Sequence, residues 1–197
     1  GDVAAEARGA GFDPFAPQTT VSVSAGAERL EYAGRDFGGI GIDAVLEDGR
    51  LSGRIADRDE ALRLALDLSG EVTRERQSVR LAGRVAEFDL AALGVTPDRI
   101  GGAFGLDFRA SASQEGTYAA SLALDSIGIR NGYRTDRIRP TSVAVGADTA
   151  SVRASVRSGD FVLTLSAPAS PDSLLAAAAR ASETLRRQLR EQAFDME

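Results

Sequence analysis

The side chains of this 197-residue chain that could do chemistry are carboxylates, hydroxyls and guanidinium groups. The sequence has no Cys, no His and no Trp, and all 23 basic residues are Arg. Without imidazole or thiolate, it cannot form the usual zinc sites, a Ser-His-Asp triad or a cysteine nucleophile. We therefore assign no catalytic residue, metal or cofactor and expect a protein that is not an enzyme. A carboxylate-based hydrolase would need two convergent carboxylates in a pocket.

Four acidic residues lie close together in the sequence: Asp48, Asp57, Asp59 and Glu60. They fall at apparent turns and lack the D-x-D-x-D-G loop with its terminal Glu that binds calcium. We interpret them as solvated turn residues. The glycine-rich segment Phe37 to Gly41 has neither a Lys nor a following helix, so it does not predict a phosphate loop.

The formal net charge is −6 and the arginines are dispersed, which argues against a nucleic-acid partner. One stretch, Arg130 to Arg139 (RNGYRTDRIR), gathers four Arg around Tyr133. We interpret it as a hairpin tip, and contact with anionic headgroups is the alternative.

Most of the chain alternates apolar and polar residues. In Glu60 to Leu68 every second residue is Leu, and a period of two is typical of a strand with one apolar face. Turn signals such as Asp48-Gly49 and Asn131-Gly132 separate the segments, and Gly26 predicts a further turn before Arg29 to Tyr32. We expect an all-β fold of about ten mostly antiparallel strands over residues 19–167, after a segment 1–18 that is irregular, with a broken edge strand as the alternative.

Two segments depart from this period. Phe88 to Leu93 predicts one helical turn with Asp89 as cap and Gly94 at its end. The pattern changes to 3.6 over residues 173–193, which predicts a C-terminal amphipathic helix lying as a lid on the apolar face, with contact to a membrane surface as the alternative. The longest apolar run, Leu174 to Ala179, is too short to span a bilayer. No signal peptide is visible, and we interpret the chain as one segment of a longer protein.

An apolar sheet face must be covered by a second sheet, close into a barrel, or fold around a guest. Several glycines in or beside strands predict bends that would let the sheet curl. The apolar residues are mainly aliphatic, which disfavours a sugar-binding surface.

Two segments of the sequence resemble recurring motifs of a known protein family. Val79 to Pro97, VRLAGRVAEFDLAALGVTP, resembles a recurring phrase of the TamB proteins of the AsmA-like superfamily. Val152 to Leu165, VRASVRSGDFVLTL, resembles a second phrase of that family, although Gly159 interrupts its usual Ser-Asp pair and the closing Gly is missing.

This resemblance implies a U-shaped, taco-like sheet with an apolar concave face. It implies a periplasmic location in a diderm bacterium, with the parent protein anchored in the inner membrane and, in some members, paired with an outer-membrane β-barrel. The implied function is a conduit that binds phospholipid acyl chains between the two membranes, in outer-membrane biogenesis. The alternative is a structural or adhesive β-sandwich or solenoid module of a bacterial surface protein, whose apolar face is its core.

The predicted groove lining consists of the aliphatic and aromatic residues at alternating strand positions. They are Ile40, Ile42, Leu62, Leu64, Leu66, Leu68, Val79, Leu81, Val85, Phe104, Leu106, Phe108, Leu122, Leu124, Val143, Val145, Val152, Val156, Phe161, Leu163 and Leu165.

Overall fold

The fold consists of β-strands joined mainly by short turns. The computed structural model describes residues 2–11, 13, 15–16, 18–32 and 35–170, and it contains no helix in this part of the chain. The strands are β1 (Asp2–Ala10), β2 (Thr20–Tyr32), β3 (Arg35–Phe37), β4 (Ile40–Glu47), β5 (Arg50–Arg58), β6 (Leu62–Val72), β7 (Arg76–Asp89), β8 (Ile100–Ser113), β9 (Tyr118–Asn131), β10 (Arg134–Ile138), β11 (Thr141–Ala147), β12 (Val152–Ser158) and β13 (Phe161–Ala167).

The strands form one open antiparallel sheet. Its order is β1-β2-β4-β5-β6-β7-β8-β9-β11-β12-β13, while β3 pairs only with β2 and β10 only with β9. Among the described strands no pairing joins β1 to β13, so the sheet is not closed into a barrel. The predicted all-β, antiparallel fold is confirmed; the described part of residues 19–167 holds twelve strands, β2 to β13, where about ten were expected from the spacing of turn signals.

Tight turns connect most neighbours. Asp48 and Gly49 both have positive φ, 49° and 69°, and join the paired residues Glu47 and Arg50. Two central residues with positive φ define a type I′ hairpin, whose twist matches that of the strands it connects. The Asp48-Gly49 prediction is confirmed.

The segment 1–18 is not irregular throughout, because it contains β1, an edge strand that pairs along its length with β2, as in the alternative prediction. One prediction near the amino-terminal end is wrong. The predicted turn at Gly26 is absent, because β2 continues through this residue, where Gly26 pairs with Gly41.

The sheet is curled, and its pairing is interrupted by register shifts. These occur between β1 and β2, between β6 and β7, between β7 and β8, and between β8 and β9. At the last of them Ser126 has a φ of 50°, which fits an extra residue in β9 opposite Phe104. Such bulges bend a strand and increase its local twist.

The loop after β7 contains one helical turn. The N–H of Leu93 donates to the carbonyl of Asp89 over 2.9 Å, and the Asp89 carboxylate accepts from the N–H groups of Ala91 and Ala92. Gly94 ends the turn with a φ of 77°. The cap and the glycine stop therefore lie where the sequence predicts them. The predicted helix at 173–193 lies outside the described residues.

Candidate functional site

The pairing of the strands assigns every side chain to one of two faces, because directly paired residues in an antiparallel ladder point to the same side. One row of paired residues crosses the whole sheet from β1 to β13. It consists of Ala7, Val23, Ala44, Gly53, Leu68, Leu81, Phe108, Leu122, Val143, Val156 and Leu163. All eleven positions are apolar. At a strand spacing of about 4.8 Å, the row is about 48 Å long.

A second apolar row runs beside the first. It consists of Gly9, Val21, Leu46, Leu51, Gly70, Val79, Ala110, Ala120, Val145, Ala154 and Leu165. We call the side of the sheet that carries these rows the apolar face and the other side the polar face. All the predicted lining residues lie on the apolar face, by pairing or by alternation along their strands.

The sequence analysis missed several members of this face. Ile55 lies between Ile42 and Leu66 in the ladder, and its alternation with Leu51 and Gly53 is the signal that could have identified it. Ile127 was missed because the extra residue at Ser126 shifts the alternation of β9 by one position.

Burial is graded across the apolar face. Leu66, Val85 and Ile127 are buried, with exposed fractions of 7%, 6% and 9%. Near them Phe88 and Phe104 make an edge-to-face contact with ring centroids 5.9 Å apart. Toward the last strands the same face becomes accessible, and the exposed fraction of Leu165 reaches 60%. Toward the opposite edge Val23 and Ile42 are exposed as well, so the apolar face is buried in its middle strands and accessible toward both edges.

A hollow of about 520 Å³ lies against the apolar face. Its walls come from β5 to β11 and include Leu51, Val72, Val79, Ala110 and Val145. Three larger hollows, of about 780, 790 and 850 Å³, lie mainly against the polar face. A twisted sheet is saddle-shaped, so it can be concave on both sides along different diagonals.

The polar face carries ion pairs. Asp107 accepts hydrogen bonds from both Arg80 and Arg109, each guanidinium using two nitrogens at 2.8–3.2 Å. The hydrogen bonds from Arg109 and then Arg80 hold the pKa of the Asp107 carboxyl far below its usual value. Arg63 and Glu87 form a further pair at 2.7 Å. This face therefore suits contact with water.

Within β4 to β8 one charged residue departs from the division into faces. Asp57 pairs with Leu64, lies on the apolar face and is only 4% exposed. Burial raises the pKa of its carboxyl, although the N–H of Asp59 donates to Asp57 Oδ1 over 2.9 Å and acts in the opposite direction. The prediction that Asp57 is a solvated turn residue is therefore wrong, because β5 extends to Arg58 and includes it.

Asp59 has a structural role in the same corner. Its carboxylate accepts from the N–H of Ala61 over 2.7 Å and from the N–H of Gly38 over 3.1 Å. These bonds tie the β5–β6 turn to the loop that precedes β4. Within the described part of the chain, no group of three or more acidic side chains is placed to hold a metal ion.

The Arg130 to Arg139 stretch forms the β9–β10 hairpin, as predicted. Asn131 pairs with Arg134, and Tyr133 at the tip is fully exposed.

No protein-family model, no curated protein and no solved structure matches this chain. Within the described residues, no helix has the length and apolar character needed to cross a membrane.

Proposed function

We propose that the apolar face binds phospholipid acyl chains and that the chain is a conduit segment of a TamB-like periplasmic protein. The observation that carries the proposal is the unbroken apolar row from Ala7 to Leu163, which crosses eleven strands. A long uniform surface suits a ligand that slides along it, whereas an enzyme site needs convergent polar groups.

The chemistry of the face fits hydrocarbon. Each CH₂ group transferred from water to an apolar surface contributes about 0.8 kcal/mol, so a few carbons of a tail are enough for measurable binding. The walls of the 520 Å³ hollow are mainly Leu, Val and Ala, which offer contact without hydrogen-bond partners. In this proposal, headgroups stay in water at the strand ends while the tails lie along the rows.

The proposed cellular location and partners come from the resemblance between the segment Val79–Pro97 and the recurring TamB motif. We place the parent protein in the periplasm, with an inner-membrane anchor, an outer-membrane β-barrel partner and a taco-like sheet. The segment acts without catalysis and without a cofactor.

The experiment is lipid capture by two matched variants. Val145→Arg places a charge on the apolar face in the wall of the hollow, and Ala144→Arg places the same charge on the polar face one residue away. Both side chains are exposed, so both variants should fold. Native mass spectrometry of the purified protein and crosslinking to a phospholipid with a photoreactive acyl chain report binding. Circular dichroism checks the fold.

We expect phospholipid on the wild type and on Ala144→Arg, and at least a tenfold loss on Val145→Arg. Absence of lipid from the wild type, or equal capture by the two variants, would refute the proposal.

A structural or adhesive β-module is the second candidate, and one observation favours it. Three hollows larger than the one on the apolar face lie mainly against the polar face, so space for a ligand is not confined to the apolar side. In that function a second β-layer covers the apolar rows. The purified protein would then carry no phospholipid.

A further inference from the structure

Within the described residues, the outer edge of β13 has no partner strand. There β13 pairs only with β12, and no described strand pairs with the backbone groups on its other edge. Its seven residues, FVLTLSA, include no charge and no proline, and Phe161, Leu163 and Leu165 are exposed. Edge strands of natural proteins usually carry charges, prolines or bulges that prevent pairing with another strand. The strand at the opposite edge, β1, has Asp2, Glu6 and Arg8.

The hairpin before β13 determines which backbone groups are free. Ser158 pairs with Phe161 across the two-residue turn Gly159-Asp160, and Gly159 has a φ of 57°. Residues that flank a two-residue hairpin turn exchange both of their backbone hydrogen bonds. Phe161, Leu163 and Leu165 therefore point their N–H and C=O groups toward β12. By alternation, Val162, Thr164 and Ser166 point theirs outward.

The outward backbone groups of these three residues are complementary to those of the same strand in a second, antiparallel copy. We propose that β13 pairs antiparallel with β13 of a second copy of this chain, with the two-fold axis at Thr164. Thr164 then pairs with Thr164 of the other copy and Val162 with Ser166, so every outward N–H meets an outward C=O. An interface of this type is self-complementary, as two-fold symmetry requires.

The side chains of β13 agree with this register. Leu163 pairs with Leu165 of the other copy in the closer, non-hydrogen-bonded positions, on the apolar face. Thr164, Val162 and Ser166 meet on the polar face, and no like charges oppose each other. Since paired residues share a face, the apolar rows of one copy continue into those of the other. The dimer would double the length of the apolar face.

Charges introduced at Thr164, on the two-fold axis, test this arrangement in the full chain. Thr164→Lys and Thr164→Glu each place two like charges opposite one another in the dimer, which opposes the pairing. Thr164 is exposed, so the monomer tolerates either charge. We expect sedimentation velocity to show a dimer for the wild type, at least a tenfold weaker dimer for each variant alone, and a restored dimer in an equimolar mixture of the two.

Two further variants separate edge pairing from other effects. Thr164→Pro removes an outward N–H but no hydrogen bond to β12, so it should weaken the dimer while the sheet stays folded. Ser155→Lys adds the same charge on the polar face one strand inward, opposite Thr164, and should leave the dimer intact.

A wild type that remains monomeric at its highest soluble concentration would overturn the proposal. That result is expected if residues 171–197 cover the outer edge of β13. A dimer that survives Thr164→Lys and Thr164→Pro, or variants that do not recombine on mixing, would overturn it as well.

Discussion

Asp57 of β5 pairs directly with Leu64 of β6, which places a carboxyl group in line with the leucines of the apolar face. In β4 to β8, all of whose residues are described, it is the one ionisable side chain on that face. Burial favours the protonated form of this group and raises its pKa. Ionised Asp57 therefore destabilises the fold at neutral pH.

Asp57→Asn should stabilise the protein at pH 7 by about 0.5–1 kcal/mol, because the amide keeps an oxygen for the N–H of Asp59 and removes the buried charge. The sign follows from linkage. A carboxyl whose pKa is raised on folding favours the folded state below its unfolded pKa of about 3.9, and this contribution is lost as the pH rises. Urea unfolding at pH 7 and pH 3.5 measures the difference. A gain that is equal at both pH values would contradict the assignment.

Asp107→Asn should have the opposite pH dependence. Its two Arg partners lower the pKa of Asp107, so its contribution to stability is present above the unfolded pKa and is lost as the pH falls. Because the three side chains are partly exposed, we expect a loss of only about 0.5–1 kcal/mol at pH 7. The loss should shrink below about pH 4 and also in high salt. Thermal unfolding across this pH range checks it, and a loss that is unchanged at pH 3 would argue against the ion pairs.

The graded burial of the apolar face gives a prediction for two identical substitutions. Leu66→Ala removes a buried side chain and should cost about 2–3 kcal/mol of unfolding free energy. Leu165→Ala changes an exposed side chain of the same face and should cost less than about 0.5 kcal/mol. Chemical denaturation of both variants gives the comparison. Similar losses would mean that the apolar face near β13 is covered in solution.

Much of the sheet could be predicted from the sequence because the period-two signal is strong in its middle and at its carboxyl end. Large aliphatic residues alternate with polar ones in β6 and β13, and both strands lie where the alternation predicts them. In β1 the positions on the apolar face are occupied by small residues such as Ala7 and Gly9, which give little hydrophobic signal. The strand forms because β2 supplies a partner, and that information is not local.

The errors at Gly26 and Asp57 have the same origin. Gly26 is a turn former by composition, but its pairing with Gly41 keeps it within β2. Asp57 begins a run of four charged residues, which indicates a turn, and only the extent of β5 shows that its carboxyl is buried. The curl of the sheet is likewise the sum of small twists and bulges over many strands, and no single residue encodes it.

Close packing of two strands at Gly83 gives a final prediction, with a matched control. A Cβ at this position would clash with the carbonyl oxygen of Ala65 and approach Leu66 Cα to 2.9 Å. Gly83→Ala therefore requires β6 and β7 to separate, and we expect a loss of about 1–3 kcal/mol. A Cβ at Gly128 would meet no atom within 4 Å, so Gly128→Ala should be close to neutral. Urea unfolding of the two variants, which differ from the wild type by the same single methyl group, measures the contrast. Equal stability of the two would show that β6 and β7 are farther apart than their pairing indicates.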